Sequence, residues 1–131
     1  MSAKPSPQRP LSPFMIGPYY RPQLTSMLSI THRLTGMINV AGALGLVVWL
    51  LCIAAGPDAH AAFMGHAGAW YGLILMFGWS WTLAYHLCNG LRHLVWDTGR
   101  GFDLPTVYRT GYAVIAGSLA LTALVWLVVL I

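Results

Sequence analysis

The chain has 131 residues, 57% of them apolar and only 8% charged, against roughly a quarter charged in an average soluble domain. So few charges exclude a soluble globular surface. The net charge of +4 reports topology and contact with anionic headgroups or a partner, and implies no nucleic acid. Three apolar segments, at about residues 34–55, 67–91 and 110–131, each reach the roughly 20 residues that a bilayer core demands. Segments of that length span lipid only as helices, so the fold class is an all-α membrane protein of three transmembrane helices.

Residues 1–28 form a Pro-rich zone. Six of the eight prolines (Pro5, Pro7, Pro10, Pro13, Pro18 and Pro22) lie there, which forbids a continuous helix and favours extended structure. Residues 1–8 read either as a frayed tail or as part of an ordered segment. Residues 9–28 are more apolar and are expected to lie along a partner surface. The zone has neither the apolar run of a secretory signal nor the pattern of a transit peptide. A bacterial inner membrane is therefore expected ahead of a mitochondrial one.

The second zone, residues 29–131, is the three-helix anchor, with spans at about 29–55, 66–93 and 108–131. Thr25 or Ser26 is the N-cap candidate for the first span, and Gly56-Pro57-Asp58 is its stop. Lys4, Arg9, Arg21 and Arg33 precede or open that span, and Arg92, Arg100 and Arg109 lie between the second and third. The loop at residues 56–66 has no Lys or Arg. Positive charge collects on the inner side, which puts the N-terminus and the second loop in the cytoplasm. His60 and His66 fall in the outer loop without Cys or carboxylate partners at ligand spacing and read as ordinary loop residues. Asp58 and Asp103 read as loop acids.

Trp70 and Tyr71 mark an outer aromatic belt. Small residues at four-residue spacing (Ala41 and Gly45, Gly68 and Gly72, Ala113 and Gly117) permit close approach of helices in lipid. Cys52 and Cys88 lie near opposite membrane faces, at depths about 20 Å or more apart by helical rise, and cannot pair.

The chemistry concentrates at the end of the second span. With His86 at zero on a helical wheel, Gly90 falls at about +40°, His93 at about −20° and Asp97 at about +20°. One face thus carries an imidazole, a gap, a second imidazole and a carboxylate. An imidazole in lipid is costly and needs a physical reason. The plainer one is a hydrogen bond to a neighbouring helix, through Ser80 or Asn89. The Gly90 gap would admit a flat ring, and with the polar cluster below it favours a ligand to metal, the iron of a haem. His93 lies about 10 Å nearer the surface than His86 by helical rise, so the two cannot hold one iron from opposite sides. A second axial ligand must come from elsewhere.

The second constellation is Ser29-Ile30-Thr31-His32-Arg33-Leu34-Thr35-Gly36, in the same leaflet. Ser29 and Arg33 share a face one turn apart, with His32 adjacent. The guanidinium either snorkels to headgroups or pairs with a carboxylate such as a haem propionate, and it can stabilise an anionic oxygen.

These motifs, Ser29-x-x-His32-Arg33-x-x-Gly36 and His86-x-x-x-Gly90-x-Arg92-His93-x-x-x-Asp97, together with Arg9-Pro10-Leu11-Ser12-Pro13, resemble the large cytochrome b membrane-anchor subunit of succinate dehydrogenase, respiratory complex II. The likeness covers nearly the whole chain. One departure is Phe14, where many relatives have a histidine after the proline. The resemblance implies a heteromeric helix bundle with a small anchor subunit, a flavoprotein subunit and an iron–sulfur subunit, in contact with membrane lipid. It implies one haem b, with His86 as one axial ligand and a histidine of the small anchor subunit as the other. Ser29 and Arg33 would help to form the ubiquinone site, and His32, Arg33 and His93 would approach the haem propionates, with Asp97 available for proton supply. The rival readings are an anchor of a fumarate reductase, a proton-relay or transporter subunit built on His86 and Asp97, and a passive anchor without cofactor.

Overall fold

The computed structural model describes residues 20–131, in which the helices are α1 (Leu24–Ala55), α2 (Pro57–Ala67), α3 (Trp70–Asp97) and α4 (Leu104–Leu130). The Arg9 to Pro13 motif and residues 1–19 lie outside the described residues. Helix α1 has 32 residues, about 48 Å at 1.5 Å per residue, enough for the apolar core and both headgroup layers. It begins earlier than the sequence suggests. Its N-cap is Gln23, not Thr25 or Ser26. Ser26 sits inside the first turn, where its hydroxyl accepts from the Gln23 N–H at 3.2 Å and donates to the Gln23 carbonyl at 2.9 Å.

Gly56 ends α1 at φ +121°, a conformation that other residues rarely adopt. The chain does not then enter a loop. Pro57 opens α2, where its missing N–H costs nothing at the start of a helix. His60 and His66 are therefore helical residues, a correction to their reading as loop positions. Helices α2 and α3 meet at 78°. Gly72 makes this corner possible, because a Cβ there would overlap the carbonyl oxygens of His66 and Ala67. The His66 Nδ1 and the Tyr71 hydroxyl, 2.6 Å apart, close it.

Helices α1 and α4 are each long and apolar enough to cross a membrane, and α2 with α3 qualifies as a bent pair. At about 16 Å α2 cannot cross alone, whereas the 28 residues of α3 reach about 42 Å. The three crossings are α1, α3 and α4, and the middle one runs four residues further than expected, to Asp97.

The bundle is polar inside and apolar outside. Thr35, Thr82, Asn89, Arg92, Ser118 and Thr122 are buried, while Leu44, Leu75, Leu119, Val128 and most other large apolar side chains face outward. Lipid tails are as apolar as leucine, so burial of apolar surface does not drive these helices together; packing and interhelical hydrogen bonds do. The small apolar core, Leu28, Tyr85 and Val114, joins α1, α3 and α4. Of the small residues in the sequence pattern, Gly117 does face α3, with its Cβ position 3.5 Å from Cys88 Sγ. Gly45 faces open space, and the close approach on α1 is at Gly42, whose missing Cβ makes room for the Trp79 indole. Cys52 and Cys88 are free.

Arg92, read from the sequence as a topology charge and a member of the second-span motif, is 6% exposed. Its Nε donates to Thr110 Oγ1 and its Nη2 to the Val107 carbonyl, both at 3.0 Å. Its guanidinium carbon lies 4.0 Å over the Trp96 ring, a cation–π contact. Trp96 in turn donates to the Gly101 carbonyl at 3.1 Å and stacks on Phe102. Gly99 and Gly101, both at positive φ, turn the chain into α4. Asp103 is not an idle loop acid but the N-cap of α4, its carboxylate accepting from the Thr106 N–H at 3.1 Å.

Candidate functional site: an imidazole cluster between α1 and α3

Helices α1 and α3 run antiparallel, so residues whose numbers sum to about 121 face each other across the seam. Gly42 receives Trp79. One turn on, the Thr82 hydroxyl lies 2.8 Å from Asn39 Oδ1. A further turn brings Thr35 and Gly36 against His86, with Thr35 Oγ1 3.2 Å from His86 Nδ1. A Cβ on Gly36 would sit 3.2 Å from His86 Cε1, so the glycine lets the ring lie against the helix. Tyr85, on the neighbouring face, is 2% exposed and donates to the Leu28 carbonyl at 3.0 Å. These bonds fix the rotation of α3 about its own axis and hence the direction in which His86 points.

Three rings assemble there. His32 and His86 stack with centroids 3.9 Å apart and an interplanar angle of 13°. His32 also approaches His93 at 5.2 Å, tilted by 37°, and His93 meets Trp96 edge-on at 5.2 Å. His32 thus fills the depth between two imidazoles of α3 that are two turns apart. The sequence placed all three in one leaflet but assigned His32 no contact with His86.

Ser29 and Arg33 lie on α1 close in sequence to His32, and Asp97 ends α3 four residues after His93. Ser29 is partly buried, Arg33 and Asp97 are exposed, and none has a hydrogen bond or ion pair within the cluster among the described residues. The plainer reading of His86, a hydrogen bond to a neighbouring helix, holds, but its partner is neither Ser80 nor Asn89. Ser80 donates to the Phe77 carbonyl and accepts from Trp126. Asn89 is fully buried, with neither amide atom hydrogen-bonded among the described residues. The true partner is Thr35, four residues before the complementary position of Asn39. That register is readable once helix pairing is known, and not before.

The donor set suits one kind of metal group. His86 has one nitrogen occupied by Thr35, and its Nε2 has no partner among the described residues. The buried Nδ1 of His32 also has none. Among the described residues no three His, Cys, Asp or Glu side chains converge on a point that would hold a bare ion. A metal here would have to bring most of its own ligands, and this chain would hold it through one imidazole nitrogen. Gly90, like Gly45, faces open space among the described residues, so no side chain of α3 obstructs the surface one turn from His86. A flat macrocycle fits these terms.

Fold and site together define a helical membrane protein that holds an oriented imidazole between two helices, with one ring nitrogen free of partners among the described residues. Residues 5–125 match the family described as the succinate dehydrogenase/fumarate reductase transmembrane subunit. The succinate dehydrogenase cytochrome b556 subunit of Paracoccus denitrificans is 38% identical over 92% of this chain and 91% of that protein. Its counterpart in Rickettsia prowazekii is 37% identical over 91% of each. The mitochondrial succinate dehydrogenase cytochrome B subunit of Schizosaccharomyces pombe is 40% identical over 82% of this chain and 62% of that one. The chain belongs to the succinate dehydrogenase/fumarate reductase transmembrane subunit family.

Proposed function

We propose that this chain is the cytochrome b anchor subunit of a succinate:quinone oxidoreductase and that it carries one haem b shared with a small anchor subunit. The observation that supports this best is His86, held at Nδ1 by Thr35 with Nε2 unpartnered among the described residues, in a family with cytochrome b subunits. His86 Nε2 would be one axial ligand and a histidine of the small anchor subunit the other. Haem, when bound, supplies one-electron redox chemistry whose potential is set by axial ligands and their hydrogen bonds. His32, Arg33 and His93 lie at the depth where propionates would need cationic or N–H donors.

The succinate-oxidising site belongs to a flavoprotein subunit, and an iron–sulfur subunit brings electrons to the cytoplasmic side, where the N-terminus of this chain lies in a bacterial inner membrane. Ubiquinone is the substrate at that interface. Ser29 donates a hydrogen bond to one quinone oxygen, and Arg33, exposed and unpaired among the described residues, stabilises the negative charge that develops there. Asp97, exposed at the end of α3, supplies protons. The named relatives favour succinate oxidation over fumarate reduction as the working direction.

The test is the dithionite-reduced optical spectrum of the purified complex. Wild type shows a b-type haem and His86→Ala loses it. Ser29→Ala keeps the haem and slows quinone reduction by about tenfold or more. A wild-type complex without haem absorption overturns the reading in favour of a proton-relay subunit or a passive anchor.

A further inference from the structure

We infer that Thr35 is the positioning residue that fixes the tautomer and ring orientation of His86, and through it the donor strength of the imidazole. This rests on the reading of His86 as an axial ligand and assigns a role to a residue outside the ligand set.

Thr35 is 1% exposed, so its hydroxyl has no water to turn to and must bond inside the protein. Two polar atoms lie within reach. The His32 carbonyl, one turn back on α1, is 2.9 Å away, and His86 Nδ1 is 3.2 Å away. A carbonyl can only accept, so the single hydroxyl proton goes to His32. With the proton so assigned to the nearer contact, the Thr35 oxygen accepts from His86 Nδ1, the tautomer that carries its hydrogen there. The neutral ring has one N–H, which leaves the lone pair on Nε2. An imidazole held in this tautomer presents Nε2 to a metal and cannot exchange its two nitrogens.

Geometry supports the same role. Gly36 lets the ring approach α1, His32 stacks on one side of it at 3.9 Å, and the bond to Thr35 removes rotation within the ring plane. Thr35, His32 and Gly36 therefore form a seat on α1 for a ligand carried by α3. A hydrogen bond accepted from the distal N–H also makes a ligating imidazole more basic, which favours the oxidised metal. Thr35 thus pulls the haem potential downward. The hydroxyl, rather than the bulk of the residue, is the active feature.

The complex is purified with Thr35→Val, which keeps shape and loses the hydroxyl, and with Thr35→Ser, which keeps the hydroxyl and loses a methyl. Haem content, haem midpoint potential and the low-spin ferric EPR spectrum are measured. Thr35→Val is expected to move the potential positive, change the EPR g-values, and weaken haem retention by about 10- to 100-fold. Thr35→Ser is expected to match wild type in all three. The inference is overturned if Thr35→Val leaves potential and EPR spectrum unchanged, or if Val and Ser shift them equally. Failure of the underlying reading looks different, because wild type itself would then lack haem or His86→Ala would retain it. Should Thr35→Val not assemble, Gly36→Ala gives a second test. It leaves the hydroxyl in place but presses on His86 Cε1, and is expected to change the EPR spectrum; an unchanged spectrum there contradicts the seat.

Discussion

The seam between α1 and α3 and the seam between α3 and α4 are built from similar materials and serve opposite ends. On the α4 side the strongest polar groups are satisfied within the chain. Arg92 is bonded to Thr110 and Val107 and capped by Trp96. Trp126 donates to Ser80 at 2.9 Å, and Ser118 and Thr122 bond back to carbonyls of their own helix. On the α1 side, among the described residues, His86 has a partner on only one nitrogen and His32 Nδ1 is buried without one. A buried polar group left unsatisfied costs about 1–3 kcal/mol, so a chain tolerates it where something else completes the bond. The α4 seam is not fully saturated, since the Trp81 indole N–H beside Leu119 and Thr122 is buried without a partner among the described residues. The open imidazole nitrogens, however, lie on the α1 seam, which makes that seam the candidate site.

The largest expected effect that can break this contrast is Arg92→Met. It removes two hydrogen bonds from a charged donor and the contact over Trp96, and should destabilise the assembled complex by about 3 kcal/mol. Thermal unfolding in detergent measures it, with haem per folded complex expected to stay at the wild-type value. Selective loss of haem without loss of stability would show that the α4 seam also belongs to the site.

A smaller effect sharpens the comparison on the other seam. Gly42→Ala would drive a methyl into the Trp79 indole, an overpacking expected to cost about 1–2 kcal/mol. Adding Trp79→Leu should recover most of that cost, as for residues in direct contact. Because Gly42 lies two turns from Gly36, the haem spectrum should change little.

The smallest effect lies outside the lipid, at the start of α4. Hydrogen bonds from Thr106 hold the Asp103 carboxyl below its ordinary pKa of 3.8. A depressed native pKa means that the cap contributes fully above the ordinary value and is lost as the pH falls below it, through the lowered one. The protection of first-turn amides of α4, taken relative to their intrinsic exchange rate at each pH, should therefore fall on acidification below about pH 4 in wild type. Asp103→Asn, which keeps a capping oxygen but does not titrate, should not show that loss of protection.

Much of this was legible beforehand. The apolar segments gave the three crossings, because twenty residues without charge have few other places to go. The burial cost of an imidazole singled out His86, and helical periodicity put His93 and Asp97 on its face. The errors share one cause. Short-range pattern marks where an apolar run pauses but not what the chain does in the pause, so Pro57–Ala67 was taken for a loop when a proline at N1 had started a helix. The small-residue rule marked Gly45, whereas the helix pairing uses Gly42 and Gly36.

Composition, periodicity and charge placement, then, determined by themselves that this is a membrane helix bundle with a costly histidine at depth. Tertiary structure alone decided which atoms complete that histidine: Thr35 on one nitrogen, Gly36 against the ring, His32 stacked beside it, and nothing from the described chain on the other nitrogen. It also turned Arg92 from a topology marker into a buried clamp on α4. The physical reason is range. Hydropathy and helical phase are properties of neighbours along the chain, whereas a hydrogen bond between residues 35 and 86 depends on the register and rotation of two helices, which their whole contact sets at once.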